Sequence, residues 1–334
     1  MVIKYVSFRE RRKLNSMLSN FLFSINVVLP LFICCFVGYI ARQFRLVNED
    51  FITGCSNLVF YFALPASVFM SLMNADLKES FNIRLMVYLF GVIIVLGTIL
   101  VLVVPRLIRN RAIAATAVLC MFQSNYALVG IPLAISLMGQ EAAAPTLIAV
   151  PFATLLYTVL MILILVALGE RKNDYSEGLF RYICREIYRN PIIIASAASI
   201  LVALMHLPLP TFIETSISYF ANSCTALSLF MLGAQLDITE VRSRLKYTIP
   251  ISIFRLVIIP AVTIIVATLL GFRGAEMGCV LIFFAAPTSI NCYVLSSRMG
   301  GDGKVSGDAV LLTPCFSCIT LVFAVFILRS LALL

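Results

Sequence analysis

Long apolar runs broken by short stretches of charged residues, glycine, proline or asparagine make up most of the chain. They fall at 21–41, 51–73, 85–105, 112–138, 143–168, 191–207, 211–236, 248–270, 276–297 and 309–328. A helix of about 20 apolar residues crosses the hydrocarbon core of a bilayer, so ten such runs predict an all-α polytopic membrane protein with ten transmembrane helices. The sixth run is short, and the fourth and ninth are interrupted by Gly130, Pro132 and Pro287. The punctuation divides the chain into a basic tail (1–16), a first group of five runs (17–168), a linker (169–190) and a second group of five (191–334).

Composition agrees with the pattern. Of 334 residues 61% are hydrophobic and 12% charged, against roughly 45–50% and 25% in soluble domains, so the lipid bilayer is the expected partner for most of the surface. The net charge of +9 reads as the usual excess of Lys and Arg on cytoplasmic loops rather than as a nucleic-acid surface. Fifteen Lys and Arg, among them Arg42, Arg106, Arg185 and Lys304, fall on one side of the predicted spans and nine on the other. The internal loops therefore place both termini outside the plasma membrane. The basic tail opposes this, and initiation at Met17 would reconcile the two.

Catalytic chemistry finds little support. His206 is the single histidine, no nucleotide-binding or nucleophile motif is present, and most of the ten cysteines lie inside apolar runs, where Cys acts as a small hydrophobe. Cys315-x-x-Cys318 has a redox spacing but lacks the strand–helix setting such motifs use. No enzyme activity, cofactor or metal is expected.

An internal repeat organises the runs. Shifting the sequence by about 161 residues superimposes the second to fifth runs on the seventh to tenth, with Pro30 on Pro191, Asp76 on Asp237 and Met138-Gly139 on Met299-Gly300. Each half holds an odd number of spans, so the halves must cross the membrane in opposite senses. Inverted repeats of this kind are an architecture of secondary transporters, which bind substrate near the midplane where discontinuous helices cross.

One such break occurs in each half. In the fourth span Asn125, Tyr126, Gly130 and Pro132 interrupt an apolar helix, and in the ninth Pro287, Thr288, Ser289 and Asn291 do the same. Proline removes a donor and disturbs the preceding turn, while glycine admits a close backbone. A lone break of this sort commonly only kinks a helix; two in corresponding helices point to a shared binding site, with Asn125 and Asn291 as amides able both to donate and to accept. Pro65, Ser67, Thr225 and Arg255 are further candidate contacts for substrate or ion. Arg255 is the one cation within a span, where it could draw in a carboxylate or snorkel toward an interface.

These segments resemble the auxin efflux carrier family. Asn125 to Pro132 (NYALVGIP) is similar to the family's fourth-helix break and Ala286 to Leu295 (APTSINCYVL) to its ninth. Pro30 and Gly38-Tyr39 match its first helix, Phe60 to Pro65 its second, and Leu232 to Leu236 its seventh, so that the likeness covers 17–334. It implies ten helices with broken, crossing helices 4 and 9, a scaffold of helices 1, 2, 6 and 7, and a moving part made of helices 3 to 5 and 8 to 10. It also implies a small organic anion as substrate, such as malate or malonate, and a homodimer through the scaffold. Ala226 stands where the family usually carries a seventh-helix proline.

Within the runs the acids are Glu214 and Glu276, both near helix ends, so no deep carboxylate marks a proton site. Electrogenic facilitated export is one expectation. A sodium- or proton-coupled symporter on the plan of the bile acid and sodium symporters is the other.

Overall fold

The computed structural model describes residues 8–73, 82–139, 142–170, 181, 184–185, 188–205, 209–235 and 244–334. His206, Asp76, Asp237 and most of the 169–190 linker lie outside the described residues. Among the described residues the fold is helical, and the one β-type pairing is a bridge between Ser124 and Thr288.

The helices are α1 (Phe8–Gln43), α2 (Glu49–Leu58), α3 (Leu64–Met73), α4 (Ile83–Leu107), α5 (Arg111–Phe122), α6 (Ile131–Met138) and α7 (Ala144–Leu168). The chain continues through α8 (Pro191–Leu204), α9 (Thr211–Ala234), α10 (Leu245–Ile253), α11 (Ile259–Leu269), α12 (Ala275–Ala285), α13 (Ile290–Arg298) and α14 (Gly303–Ser330). Helix α1 begins within the basic tail. Seven stretches are long and apolar enough to cross a membrane: Met17–Gln43, Glu49–Met70, Ile83–Leu107, Ala144–Leu168, Thr211–Ala234, Leu245–Leu269 and Gly303–Ser330. The other three predicted spans resolve into shorter pieces. Residues 191–204 form a single short helix, whereas the fourth and ninth runs are each two helices joined by extended backbone.

Asparagine and aspartate end the loops by capping. Asn48, Asn82, Asn110 and Asn190 accept from backbone N–H groups two or three residues on, as does Asp302 at the start of α14. Each oxygen satisfies a donor that the first helical turn leaves unpaired. Prolines explain the wide turns: Val59–Ala63, Tyr126–Gly130 and Phe254–Ile258 are π-helical and stand two residues before Pro65, Pro132 and Pro260. A proline ring collides with the carbonyl four residues back, and in all three cases that carbonyl lies inside the widened turn.

The polarity of the surface is that of a membrane protein. Leu269 is 81% and Phe212 73% exposed, which lipid tolerates and water does not. Helix α1 packs along both α9 and α14, and α3 packs on both α8 and α9; α4 to α7 pack with α10 to α14. The α1–α9 contact is nearly backbone on backbone: a Cβ at Gly38 would fall 1.9 Å from the Phe230 carbonyl oxygen, and one at Gly233 1.6 Å from that of Cys35. Small residues allow this approach where no hydrophobic effect drives helices together.

The last helix corrects the reading of intramembrane acids. Because α14 starts at Gly303, Asp308 lies within it, 4% exposed, with Oδ2 2.8 Å from Arg244 Nε. Glu276 is half-buried in the first turn of α12, where it accepts a hydrogen bond from the Asn82 amide.

Candidate functional site

The two broken helices cross at Ser124 and Thr288. Asn125 N–H donates to the Pro287 carbonyl (2.7 Å) and Ser289 N–H to the Gln123 carbonyl (3.3 Å), giving a two-rung antiparallel ribbon. Four half-helix ends meet there. Helices α5 and α12 arrive with their carbonyl ends, and the turn from Tyr126 and helix α13 leave with their N–H ends. A half-helix end carries roughly half an elementary charge, negative at the carbonyl end, so the crossing gathers two negative and two positive poles in a low-dielectric interior.

The negative poles are closed off by side chains. Arg255, 0% exposed, donates to the Ala286 carbonyl (Nε, 3.0 Å), the Phe283 carbonyl (Nη2, 3.3 Å) and the Met121 carbonyl (Nη1, 3.4 Å). Ser124 Oγ donates to Phe283 O (2.7 Å), Thr288 Oγ1 to Cys120 O (2.9 Å) and Cys292 Sγ to Leu119 O (3.3 Å). Each hydroxyl or thiol reaches across to the other half, tying the breaks together. Arg255 thus neither snorkels nor reaches the cavity described next; a rigid five-donor fork suits three converging carbonyls.

The positive poles look into a cavity of ≈ 380 Å³. Asn125 caps its own turn, its Oδ1 accepting from Leu128 N–H at 3.2 Å, and Ser289 Oγ accepts from Asn291 N–H at 3.3 Å. Asn125 is 3% exposed, and its Nδ2 is a buried donor without a hydrogen-bond partner. Such an orphan costs about 1–3 kcal/mol, which a ligand acceptor would recover. Tyr126 is positioned rather than free: its ring stacks on Tyr157 and Phe283 with centroids 5.5 and 5.1 Å away, and its hydroxyl lies 2.9 Å from Thr154 Oγ1.

Of the residues singled out from sequence, Asn125, Tyr126, Ser289 and Asn291 line this cavity. Thr288 and Pro287 build the crossing behind it. Gly130 passes close to α12, where a Cβ would lie 2.8 Å from Ile282 Cγ2, and Pro132 is buried in α6. Pro65 and Ser67 are buried in α3 and Thr225 is half-buried in α9, all off the cavity wall. Sequence reasoning passed over the facing wall, to which Ser56, Asn57, Ser228 and Gln235 contribute polar groups. Gln235 Nε2 donates to Ser56 Oγ at 2.8 Å. The available signal was no more than polar residues within the second and seventh apolar runs. Among the described residues no charged side chain lines the cavity.

The family follows from residues 23–325, which match the family model described as membrane transport protein. The chain belongs to this family, that of the auxin efflux carriers. It is a multi-pass membrane transporter. Relatives are distant but match along nearly their whole length. An uncharacterized transporter of Methanocaldococcus jannaschii is 23% identical over 307 residues, 89% of this chain and 96% of its own. A provisionally named malonate transporter of Rhizobium meliloti is 23% identical over 315 residues (92% and 96%). A provisionally named auxin efflux carrier component of Oryza sativa subsp. japonica is 21% identical over 337 residues (86% and 92%).

Proposed function

We propose that this protein is a secondary carrier for a small organic anion, a mono- or dicarboxylate, which binds at the crossing and is moved across the plasma membrane by alternating access. The observation that carries the reading is the cavity wall itself. Two half-helix N-termini open on a space lined by Asn125, whose buried Nδ2 lacks a partner, and among the described residues no charged side chain lines it. Helix N-termini with free N–H groups suit a carboxylate, and a wall of amides and hydroxyls gives it a water-like shell without a fixed counter-ion at contact distance. The name of the Rhizobium relative agrees with this substrate class.

In this reading the ten crossings form two inverted five-helix halves. Helices α1 to α3, α8 and α9 are the scaffold, and α4 to α7 with α10 to α14 carry the crossing in an elevator-like movement past it. Support comes from the packing of α1 on α9, of α3 on α8 and α9, and of α4 to α7 on α10 to α14, with α1 also lying along α14, and from breaks that recur near the 161-residue offset. The excess of Lys and Arg on one set of loops favours a cytoplasmic linker and outward-facing termini, and a scaffold dimer fits the same plan. Labelling of the exposed Cys184 by an impermeant maleimide only after permeabilisation would bear out that orientation.

The test is a thermal-shift screen of the purified protein against mono- and dicarboxylates, with and without sodium, followed by flux in proteoliposomes. A ligand at about a hundred times its Kd stabilises the folded state by about 2.7 kcal/mol, which raises Tm by several degrees. Malonate or a smaller monocarboxylate is expected to give that shift without sodium. A shift that needs sodium would replace the uniporter by a symporter. No shift with any carboxylate, together with no saturable flux, would overturn the proposal.

A further inference from the structure

Among the described residues the buried charged side chains are Arg255 and Asp308. Asp308 is balanced by Arg244 across 2.8 Å. Arg255 is different, since its hydrogen-bond partners are main-chain carbonyls, which carry partial charge but no net charge. Every half-helix that ends in a negative pole begins in a positive one, so the dipoles of the crossing sum to nothing. The guanidinium therefore leaves one whole positive charge at the centre of this body. The π turn that bears it, Phe254–Ile258, packs on α5, α12 and α14, all within the part that the carrier reading sets in motion.

We propose that Arg255 is a built-in counter-charge that travels with the crossing: loaded with a monoanion the moving body crosses the membrane field with no net charge, and empty it returns carrying one positive charge. The inference rests on the anion-carrier reading above. A charge that crosses the membrane couples to its potential, so voltage acts on the return of the empty carrier instead of on the loaded step. A negative cytoplasm then holds the empty crossing on the cytoplasmic side, where it meets the substrate to be exported. Charge selectivity follows as well. A monoanion makes the loaded body neutral, whereas a dianion leaves one negative charge to be carried through the field. Arg255 touches no substrate in this scheme; it positions the two half-helix ends and sets the charge of the carrier.

The experiment uses purified full-length protein in proteoliposomes, with the potential clamped by a potassium gradient and valinomycin. Labelled lactate, a monoanion, and labelled malonate at pH 7.5, a dianion, are followed in two modes: exchange with saturating substrate on both sides, which uses only loaded steps, and net efflux, which also needs the empty return. Between zero and a resting potential, lactate exchange is expected to change less than twofold while net lactate efflux changes about tenfold. Malonate exchange should show the voltage slope of one charge. R255K keeps this pattern even if turnover falls, because it keeps the charge. R255Q shifts it by one charge, so that lactate exchange becomes voltage-sensitive and malonate exchange steepens to two. A purely structural role would slow both variants without moving the slopes. In the wild-type protein, a one-charge slope for lactate exchange, or a two-charge slope for malonate exchange, overturns the inference. Absence of saturable flux for both substrates, seen before any potential is applied, removes the carrier reading itself and the inference with it.

Discussion

The two sides of the crossing are built from the same parts and finished in opposite ways. On the carbonyl side, Arg255, Ser124, Thr288 and Cys292 donate to the exposed ends of α5 and α12. Facing the cavity, one cap is supplied to each outgoing helix, and Asn125 Nδ2 is left without a partner. A fold that can satisfy one pair of helix ends so fully has the means to satisfy the other. The difference therefore reads as a division of labour, in which closed poles hold the halves in register and open poles wait for an acceptor that comes and goes.

The sharpest test of that contrast removes the closure. Arg255→Met leaves three buried carbonyls without their charged donor, and the expected loss is about 3–5 kcal/mol of stability, measured as thermal unfolding in detergent. Asn125→Ala should do the reverse. Its Oδ1 cap is worth about 1 kcal/mol, but deleting the orphaned Nδ2 offsets this, so stability should stay within about 1 kcal/mol. Substrate affinity should meanwhile fall about 10- to 100-fold, read by ligand-induced thermal shift. An Asn125→Ala protein that unfolds as readily as the Arg255 variant would erase the distinction between the sides.

Two smaller effects refine it. Ser289→Ala takes the cap from α13 on the cavity side, for about 1 kcal/mol of stability and a several-fold loss of affinity. Thr288→Val removes the donor to Cys120 O at nearly constant volume, for about 1 kcal/mol; because that hydroxyl faces away from the cavity, affinity should hold within about twofold. If titration showed Thr288→Val weakening binding more than Ser289→Ala, the boundary between closed and open poles would have to be redrawn.

Much of this was legible before any coordinates. Apolar runs bounded by Asn48, Asn82, Asn110 and Asn190 locate helices because a bilayer demands length and a first turn demands a cap. Pro132 announced distortion, though not that it, like Pro65 and Pro260, would be absorbed as a π turn two residues earlier. Asn125, Tyr126, Ser289 and Asn291 stood out as polar groups in apolar surroundings. Less legible was the far wall. Ser56, Asn57 and Gln235 sit near the ends of ordinary-looking runs, and a polar residue there could equally face water, lipid headgroups or a cavity. Asp308 was missed for a related reason, since the polar first turns of α14 resemble a loop until Asp302 is seen to cap it.

Arg255 shows where reading by residue type runs out. Composition and spacing established a membrane transporter plan with one break per half and one arginine inside a span, because hydrophobic length and backbone-breaking residues are local properties of the chain. Which way that arginine points is a property of the packed structure. Only the crossing brings the carbonyl of Met121 and those of Phe283 and Ala286 within reach of a single guanidinium, from helices far apart in the chain. Tertiary structure alone decided that the charge closes the negative poles, while the cavity on the other side is left to uncharged amides, hydroxyls and N–H groups.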